Sequence, residues 1–405
     1  MVVTQLLLIL LSNGINYDNT IRLLQLGDWG GDQNANDQYA TPAQIATANA
    51  MGIIGEELYI QGVLALGDNF YYQGIDGACN LDSCSERFNL TFVDVYNSTS
   101  LQVPWYVISG NHDWYGNVSA EIEYSKINQN WVYPNFYHKK TLYSNDKSIS
   151  VDIILIDTIL FTGVDDGNVY PQNNVDPVQY NFIVDALKQS TADYILVGGH
   201  YPVYSICEHG NTITLINDLI PLFEKYGAHY FSGHDHCAEY FYNNNVAYVL
   251  NGMGHGCCYH NISSQDIPED SLKYFIANTN SSINIDDDNV EVGVNGTVGG
   301  FTTIIIDKNV MNITFYNQDG KILYQAEPIL PRLYNSNNSN DDIISHQTLI
   351  IIISVVVVIF VLIVIVINKT ILNGLKVKLA VMRNSLLNND SIHHDTVISN
   401  PMNNN

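Results

Sequence analysis

Five short apolar runs in this chain each stop at a glycine followed by Asp, Asn or His. Ile21–Leu26 runs into Gly27-Asp28, Val63–Leu66 into Gly67-Asp68, and Val103–Ile108 into Ser109-Gly110-Asn111. Tyr194–Val197 runs into Gly198-Gly199-His200, and Ala228–Phe231 into Ser232-Gly233-His234. Such runs read as buried β-strands, and glycine lets the chain turn tightly beside a ligand. Strands that share a sheet bring their carboxyl ends to one rim, where open α/β sheets bind ligands. That rim would gather Asp28, Asp68, Asn111, His200 and His234, with His236 and Tyr71 close behind.

Each residue alone has an ordinary reading. Asp after a strand is commonly a turn residue, Asn111 can cap the next helix, and His-X-His arises by chance. Repetition after five strands is the informative feature. Oxygen and nitrogen donors without thiolate suit Fe, Mn or Zn rather than a structural thiolate-zinc site. If Asp68 is shared, each of two ions gains four ligands. That is the arithmetic of a two-metal phosphoesterase, whose ions sit about 3.5–4 Å apart and clamp the attacking and leaving oxygens. Tyr71 narrows the choice of ion. A phenol titrates near ~10, so only a strong Lewis acid such as Fe(III) would hold it as phenolate near neutral pH.

With 405 residues the chain can bury a large core. Its formal charge of −25 excludes the basic footprint of a nucleic-acid binder. An acidic surface would also repel phosphate esters, unless metal ions reverse the field locally.

Between the strands, Thr41–Leu58, Val118–Ile127, Val178–Lys188 and Thr212–Tyr226 carry helical spacing, and Arg87–Ser98 is helix-like. Ser148–Ile156 reads as a further strand. Val246–Leu250, Phe301–Ile306, Val310–Tyr316 and Ile322–Ala326 alternate in a way that suits antiparallel pairing.

Both ends of the chain are apolar. Residues 1–16 fit a secretory signal, although no Lys or Arg precedes Arg22. Thr348–Ile367 is uncharged and has the ~20 residues a transmembrane helix needs. Lys369, Lys376, Lys378 and Arg383 follow it, so positive-inside logic puts residues 368–405 in the cytoplasm. The expected order is signal, catalytic domain 17–333, polar stalk 334–347, one membrane helix 348–367 and tail. This is a single-pass type I protein whose catalytic domain is lumenal or extracellular, at the plasma membrane or in an endolysosomal compartment.

Eight glycosylation acceptors suit that placement: Asn89, Asn97, Asn117, Asn261, Asn280, Asn295, Asn312 and Asn337. So do six cysteines, all before the membrane segment. Cys79 and Cys84 can close a small loop, and the adjacent Cys257 and Cys258 are not expected to pair with each other. Fifteen complete pairings remain open.

The blocks Gly27-Asp28-Trp29-Gly30-Gly31, Gly67-Asp68-Asn69-Phe70-Tyr71, Gly110-Asn111-His112-Asp113, Gly199-His200-Tyr201-Pro202-Val203 and Gly233-His234-Asp235-His236 resemble those of purple acid phosphatases. The likeness is closest to the small tartrate-resistant type and runs from Ile21 to Arg332. It implies an α/β (α+β) metallophosphoesterase sandwich of two mixed β-sheets flanked by helices. It implies Fe(III) held by Asp28, Asp68, Tyr71 and His236. A second ion, Fe(II), Zn or Mn, would be held by Asp68, Asn111, His200 and His234. The chain departs from vertebrate members at Thr214 and Ser232, where they carry a disulfide. Cys237 is similar to small plant members. Residues 163–176 sit where mammalian members have a longer inhibitory loop.

The expected activity is hydrolysis of phosphate monoesters, on small molecules or phosphoproteins, by a metal-bound hydroxide. His112 would protonate the leaving group, with His209 as a second candidate. The rivals are a phosphodiesterase on the same scaffold, a catalytically inactive receptor-like ectodomain, and a redox protein acting at iron.

Overall fold

Two mixed β-sheets pack face to face in this protein. A computed structural model describes residues 19–32, 39–80, 84–165, 168–169, 176–259, 267–276, 291–292 and 296–332. The strands are β1 Ile21–Leu26, β2 Gly62–Leu66, β3 Trp105–Ile108, β4 Trp131–Val132, β5 His138–Tyr143, β6 Ser150–Leu155, β7 Val164–Asp165, β8 Asn168–Val169 and β9 Tyr194–Gly198. They continue as β10 Ala228–Ser232, β11 Ala238–Asn243, β12 Val246–Asn251, β13 Leu272–Phe275, β14 Glu291–Val292, β15 Gly300–Ile306, β16 Met311–Asn317 and β17 Ile322–Gln325. One sheet has the order β17-β16-β15-β1-β2-β3-β4, the other β14-β13-β11-β12-β10-β9-β6-β5. The strands β1, β2 and β3 run parallel, as do β6, β9, β10 and β12. The expected antiparallel pairs flank them, β1 with β15 and then β16 and β17.

The central strands are apolar at nearly every position because both of their faces are covered. Leu23, Leu64 and Leu66 face the second sheet, where they meet Val151, Ile153, Leu196 and Phe231. Their neighbours Leu24, Leu26, Val63 and Ala65 face outward into a cluster with Trp29, Met51, Phe70, Trp105 and Trp131. On the far side of the second sheet, Ile154, Ile195 and Val197 pack against Ile183, Leu187, Leu215 and Phe223 from the helices.

The helices are α1 Pro42–Leu58, α2 Asn111–Trp114, α3 Val118–Tyr124, α4 Thr158–Thr162, α5 Pro177–Lys188, α6 Ile213–Asp218 and α7 Ile220–Tyr226. Thr41 caps α1 by accepting from the Gln44 amide, with Pro42 in the first turn. Two expected helices change form. Thr212–Tyr226 is not one helix but two, because Pro221 lacks the amide hydrogen the first would need to continue. In place of an α-helix over Arg87–Ser98 there is a short π-helical segment, Phe88–Val93, then a 3₁₀ turn at Thr99–Leu101.

Cys79 pairs with Cys84 as expected, and Cys207 pairs with Cys237. Cys257 and Cys258 do pair with each other, against expectation. The other four cysteines are already used, so these two have only one another. Among the described residues no helix is long and apolar enough to cross a membrane. The segment Thr348–Ile367, the apolar amino terminus and the charged tail lie outside the described residues.

Candidate metal centre

The carboxyl ends of β1, β2 and β3 in one sheet face those of β9 and β10 in the other, and all seven expected donors meet there. The turns that deliver them are tight. Asp28, Asp68 and His234 have positive φ values of 57°, 51° and 74°, a left-handed conformation costing on the order of 1 kcal/mol or more at a non-glycine residue. Gly67, with φ 89°, could not carry a side chain, since a Cβ would come within 2.6 Å of His200 Nδ1.

Aromatic neighbours fix two of the loops. Trp29, just after Asp28, packs on Trp105 at 5.5 Å and Trp131 at 5.9 Å between ring centroids. Phe70, just before Tyr71, packs edge-on against Phe88 at 5.0 Å. The buried carboxylate of Asp113 gathers the third loop by accepting from the amides of Asn69, Phe70 and Gly110.

The donor atoms fall into two groups. The Tyr71 hydroxyl donates to Asp28 Oδ1 at 2.9 Å and meets His236 Nε2 at 2.9 Å, and His236 Nε2 is 3.6 Å from Asp28 Oδ1. His200 Nε2 lies 2.9 Å from Asn111 Oδ1 and 3.4 Å from Asp68 Oδ1. The His234 ring packs edge-on against His200 at 5.1 Å. Single ligand atoms of Asp28, Asp68 and His200 lie within 4.8 Å of one another, which joins the two groups. His200 Nδ1 is spent on the Leu66 carbonyl at 2.9 Å, so Nε2 is the nitrogen turned to the site.

The electrostatics of the site fit a pair of cations. Burial, with the charge of Asp68, pushes the Asp28 carboxyl up to about 8 despite His200. Burial also drives the Tyr71 phenol well above its ordinary value, and the charge of Asp28 adds to that. For Asp68, burial pulls upward, but His200 and His112 prevail and hold it below the usual carboxylate range. Burial pushes His236 down to about 4 and His234 well below its ordinary value. Neutral imidazoles are what a metal binds. Among the described residues no lysine or arginine pairs with Asp28 or Asp68. These are buried acids, neutral histidines and an amide oxygen, gathered where a positive charge is missing.

His112 and His209 flank the donors. The His112 amide donates to Asp68 Oδ1 at 2.9 Å, its Nδ1 meets the Tyr72 carbonyl at 2.9 Å, and Nε2 stands 4.0 Å from Asp68 Oδ2. Burial lowers its pKa, but Asp68 and the Tyr72 carbonyl outweigh that and raise it overall. The His209 ring stacks on His234 at 4.2 Å. Beside them opens a pocket of about 260 Å³ lined by Tyr201, His209, Asn211, Thr212 and His234. The Cys207–Cys237 disulfide ties the His209 loop to the turn that carries His236.

Sequence reasoning missed other residues here. His255 is buried, packs with its ring tilted against Tyr71 at 4.2 Å between centroids, and directs Nδ1 to the Asp28 carbonyl at 2.8 Å. It carries the same signature as the donors, Gly254-His255 after strand β12. Tyr259 stacks on His236 at 4.3 Å and has no such signature. Conversely, Asp157 follows strand β6 as Asp28 and Asp68 follow theirs, but it caps α4, accepting from the amides of Ile159 and Leu160. Of the glycosylation candidates, Asn89 and Asn97 are exposed. Asn117 caps α3 and donates to the Gly77 carbonyl, and Asn312 lies in β16. Asn261, Asn280, Asn295 and Asn337 lie outside the described residues.

Residues 21–252 match the calcineurin-like phosphoesterase family. Tartrate-resistant acid phosphatase type 5 of Rattus norvegicus is 34% identical over 336 residues, spanning 81% of this chain and 95% of that protein. The Homo sapiens protein of that name is 34% identical over 77% of this chain and 91% of its own. Purple acid phosphatase 3 of Arabidopsis thaliana is 32% identical over 58% of this chain and 64% of its own. Among solved structures, GAP50 of Plasmodium, described as the anchor in the inner membrane complex, shares the fold. Its TM-score is 0.60 at 22% identity, covering 77% of this chain and 89% of that one.

Proposed function

Because this chain belongs to the calcineurin-like phosphoesterase family and groups with the purple acid phosphatases, it is a phosphoester hydrolase, and we propose that it is an acid phosphatase acting on phosphate monoesters at a dinuclear centre. The observation that carries the reading is the pair of donor groups around Tyr71 and His200, joined through the two aspartates.

In this reading Asp28, Asp68, Tyr71 and His236 hold Fe(III), and Asp68, Asn111, His200 and His234 hold Fe(II), Zn or Mn. Bound there, such a pair supplies Lewis acidity toward phosphate and water. The protein's own groups do the rest. Because Nδ1 of His112 donates to the Tyr72 carbonyl, Nε2 carries the mobile proton. The Tyr72 carbonyl fixes the ring so that Nε2 is the nitrogen left for the leaving oxygen, as a general acid needs. His112 thus protonates the leaving oxygen. His209, exposed beside the neutral pocket, contacts the phosphate or the organic part of the ester.

The experiment is an assay of the purified full chain on p-nitrophenyl phosphate and bis(p-nitrophenyl) phosphate, before and after chelation. Monoester turnover that is lost on chelation and restored by iron with a divalent ion supports the reading. Faster diester turnover would make it a phosphodiesterase. No turnover after metal loading would leave the receptor-like ectodomain.

The same proposal places the catalytic domain in the lumen or outside the cell, held by residues 348–367, with glycans on the exposed Asn89 and Asn97. Protease added to sealed microsomes should then trim only the tail. Digestion of an unglycosylated catalytic domain would overturn the topology.

A further inference from the structure

Among the described residues Arg87 is the only arginine beside the candidate centre. Its side chain is almost fully buried, with 7% exposed. Its Nη2 donates to two carbonyls at once, Gly30 at 3.2 Å and Tyr71 at 3.0 Å, while Nε donates to Thr91 Oγ1 at 3.2 Å. The guanidinium carbon sits 4.2 Å from the centre of the Tyr39 ring. Among the described residues no carboxylate forms a salt bridge with it. Burial lowers its pKa, opposed by Tyr39 and by the charges of Asp113, Asp76 and Asp32.

A buried cation bonded only to neutral oxygens is expensive, since loss of hydration costs several kcal/mol or so before any compensation. For stability alone, an apolar residue would fill this space at lower cost. The position of the fork suggests what the cation does instead. Gly30 lies two residues after Asp28 and accepts from the Tyr71 amide at 3.2 Å. The Tyr71 peptide is therefore held to the Asp28 loop by its amide directly and by its carbonyl through Arg87. The approach is close enough that a Cβ on Gly30 would strike the Asn69–Phe70 peptide.

We infer that Arg87 is a positioning residue for the Fe(III) ligands. Its guanidinium fixes the spacing of the Asp28 and Tyr71 loops, so that carboxylate and phenolate converge on one ion. The inference rests on the proposed iron site. Both carbonyl bonds leave Nη2 while Nε is anchored on Thr91 Oγ1, so the rigid guanidinium plane fixes the directions of the two N–H groups, which a freely rotating ammonium does not.

The test measures iron affinity by chelator competition, and the visible spectrum per bound iron, for the full chain and for Arg87→Gln and Arg87→Lys. Loss of an outer partner of a metal ligand typically weakens affinity about 10–100-fold. Arg87→Gln should fall in that range with a shifted or weakened phenolate-to-iron band, and Arg87→Lys should lie between it and wild type. If Arg87→Gln does not fold, Arg87→Lys decides the matter alone. Wild-type affinity and an unchanged band in Arg87→Lys, with a lowered melting temperature, would reduce Arg87 to a structural clamp and overturn the inference. A wild-type protein that binds iron without the band would overturn the iron-site reading instead.

Discussion

The Tyr71 hydroxyl donates to Asp28 Oδ1 at 2.9 Å, although the two residues follow different strands and lie 43 positions apart. A phenol and a carboxylate buried together without a cation both retain their protons more strongly, as their raised pKa values show. A metal ion between them reverses that preference by replacing a shared proton with a fixed positive charge.

Metal loading should therefore release protons. At pH 6.5 Asp28, with its pKa near 8, is protonated, and so is Tyr71. His236, near 4, and His234 are already neutral and release none. Binding needs the deprotonated ligands, so about two protons should leave per loaded centre at pH 6.5. Affinity should rise with pH, and less steeply above about 8, where Asp28 ionises unaided while Tyr71 must still give up its proton. A dye that reports pH in weakly buffered solution measures the release, and no release at pH 6.5 would contradict this electrostatic account.

His112→Ala should separate substrates by leaving group. Nitrophenolate departs without a proton, whereas an alkoxide does not. The variant should therefore slow alkyl phosphates by about 10²–10⁴-fold and nitrophenyl phosphate far less. Metal content should stay at the wild-type level. Equal losses on both substrates would mean that His112 binds phosphate, and His209 would become the candidate acid.

The strand-end donors were legible because a strand covered on both faces is uninterruptedly apolar, and its turn stands out against it. Leu23 and Leu24 point to opposite cores, yet both must be apolar. The split at Leu219 was also in the sequence, in Pro221, but helical spacing on both sides masked it. Tyr259 and Arg87 were not legible. Each acts through a contact set by tertiary packing, a ring on His236 and a fork between two loops. The Cys257–Cys258 pair was excluded on adjacency, and only the use of the other four cysteines elsewhere leaves them as partners.

The Cys207–Cys237 bridge spans 30 positions. Closing a loop of this size constrains the unfolded chain by about 3.6 kcal/mol. Cys207→Ser with Cys237→Ser should lower unfolding free energy by about that amount in urea titrations. A loss well under about 1 kcal/mol would mean that the His209 loop is held by the Asp235 contact to the His209 amide without help from the bridge.

The most direct measurement is the visible spectrum of the purified, iron-loaded protein beside that of Tyr71→Phe. The account predicts a phenolate-to-iron charge-transfer band and a purple colour in the wild type, with the band absent from Tyr71→Phe at comparable iron content. A wild-type protein holding two metals per chain, iron among them, with no such band under oxidising conditions would contradict it.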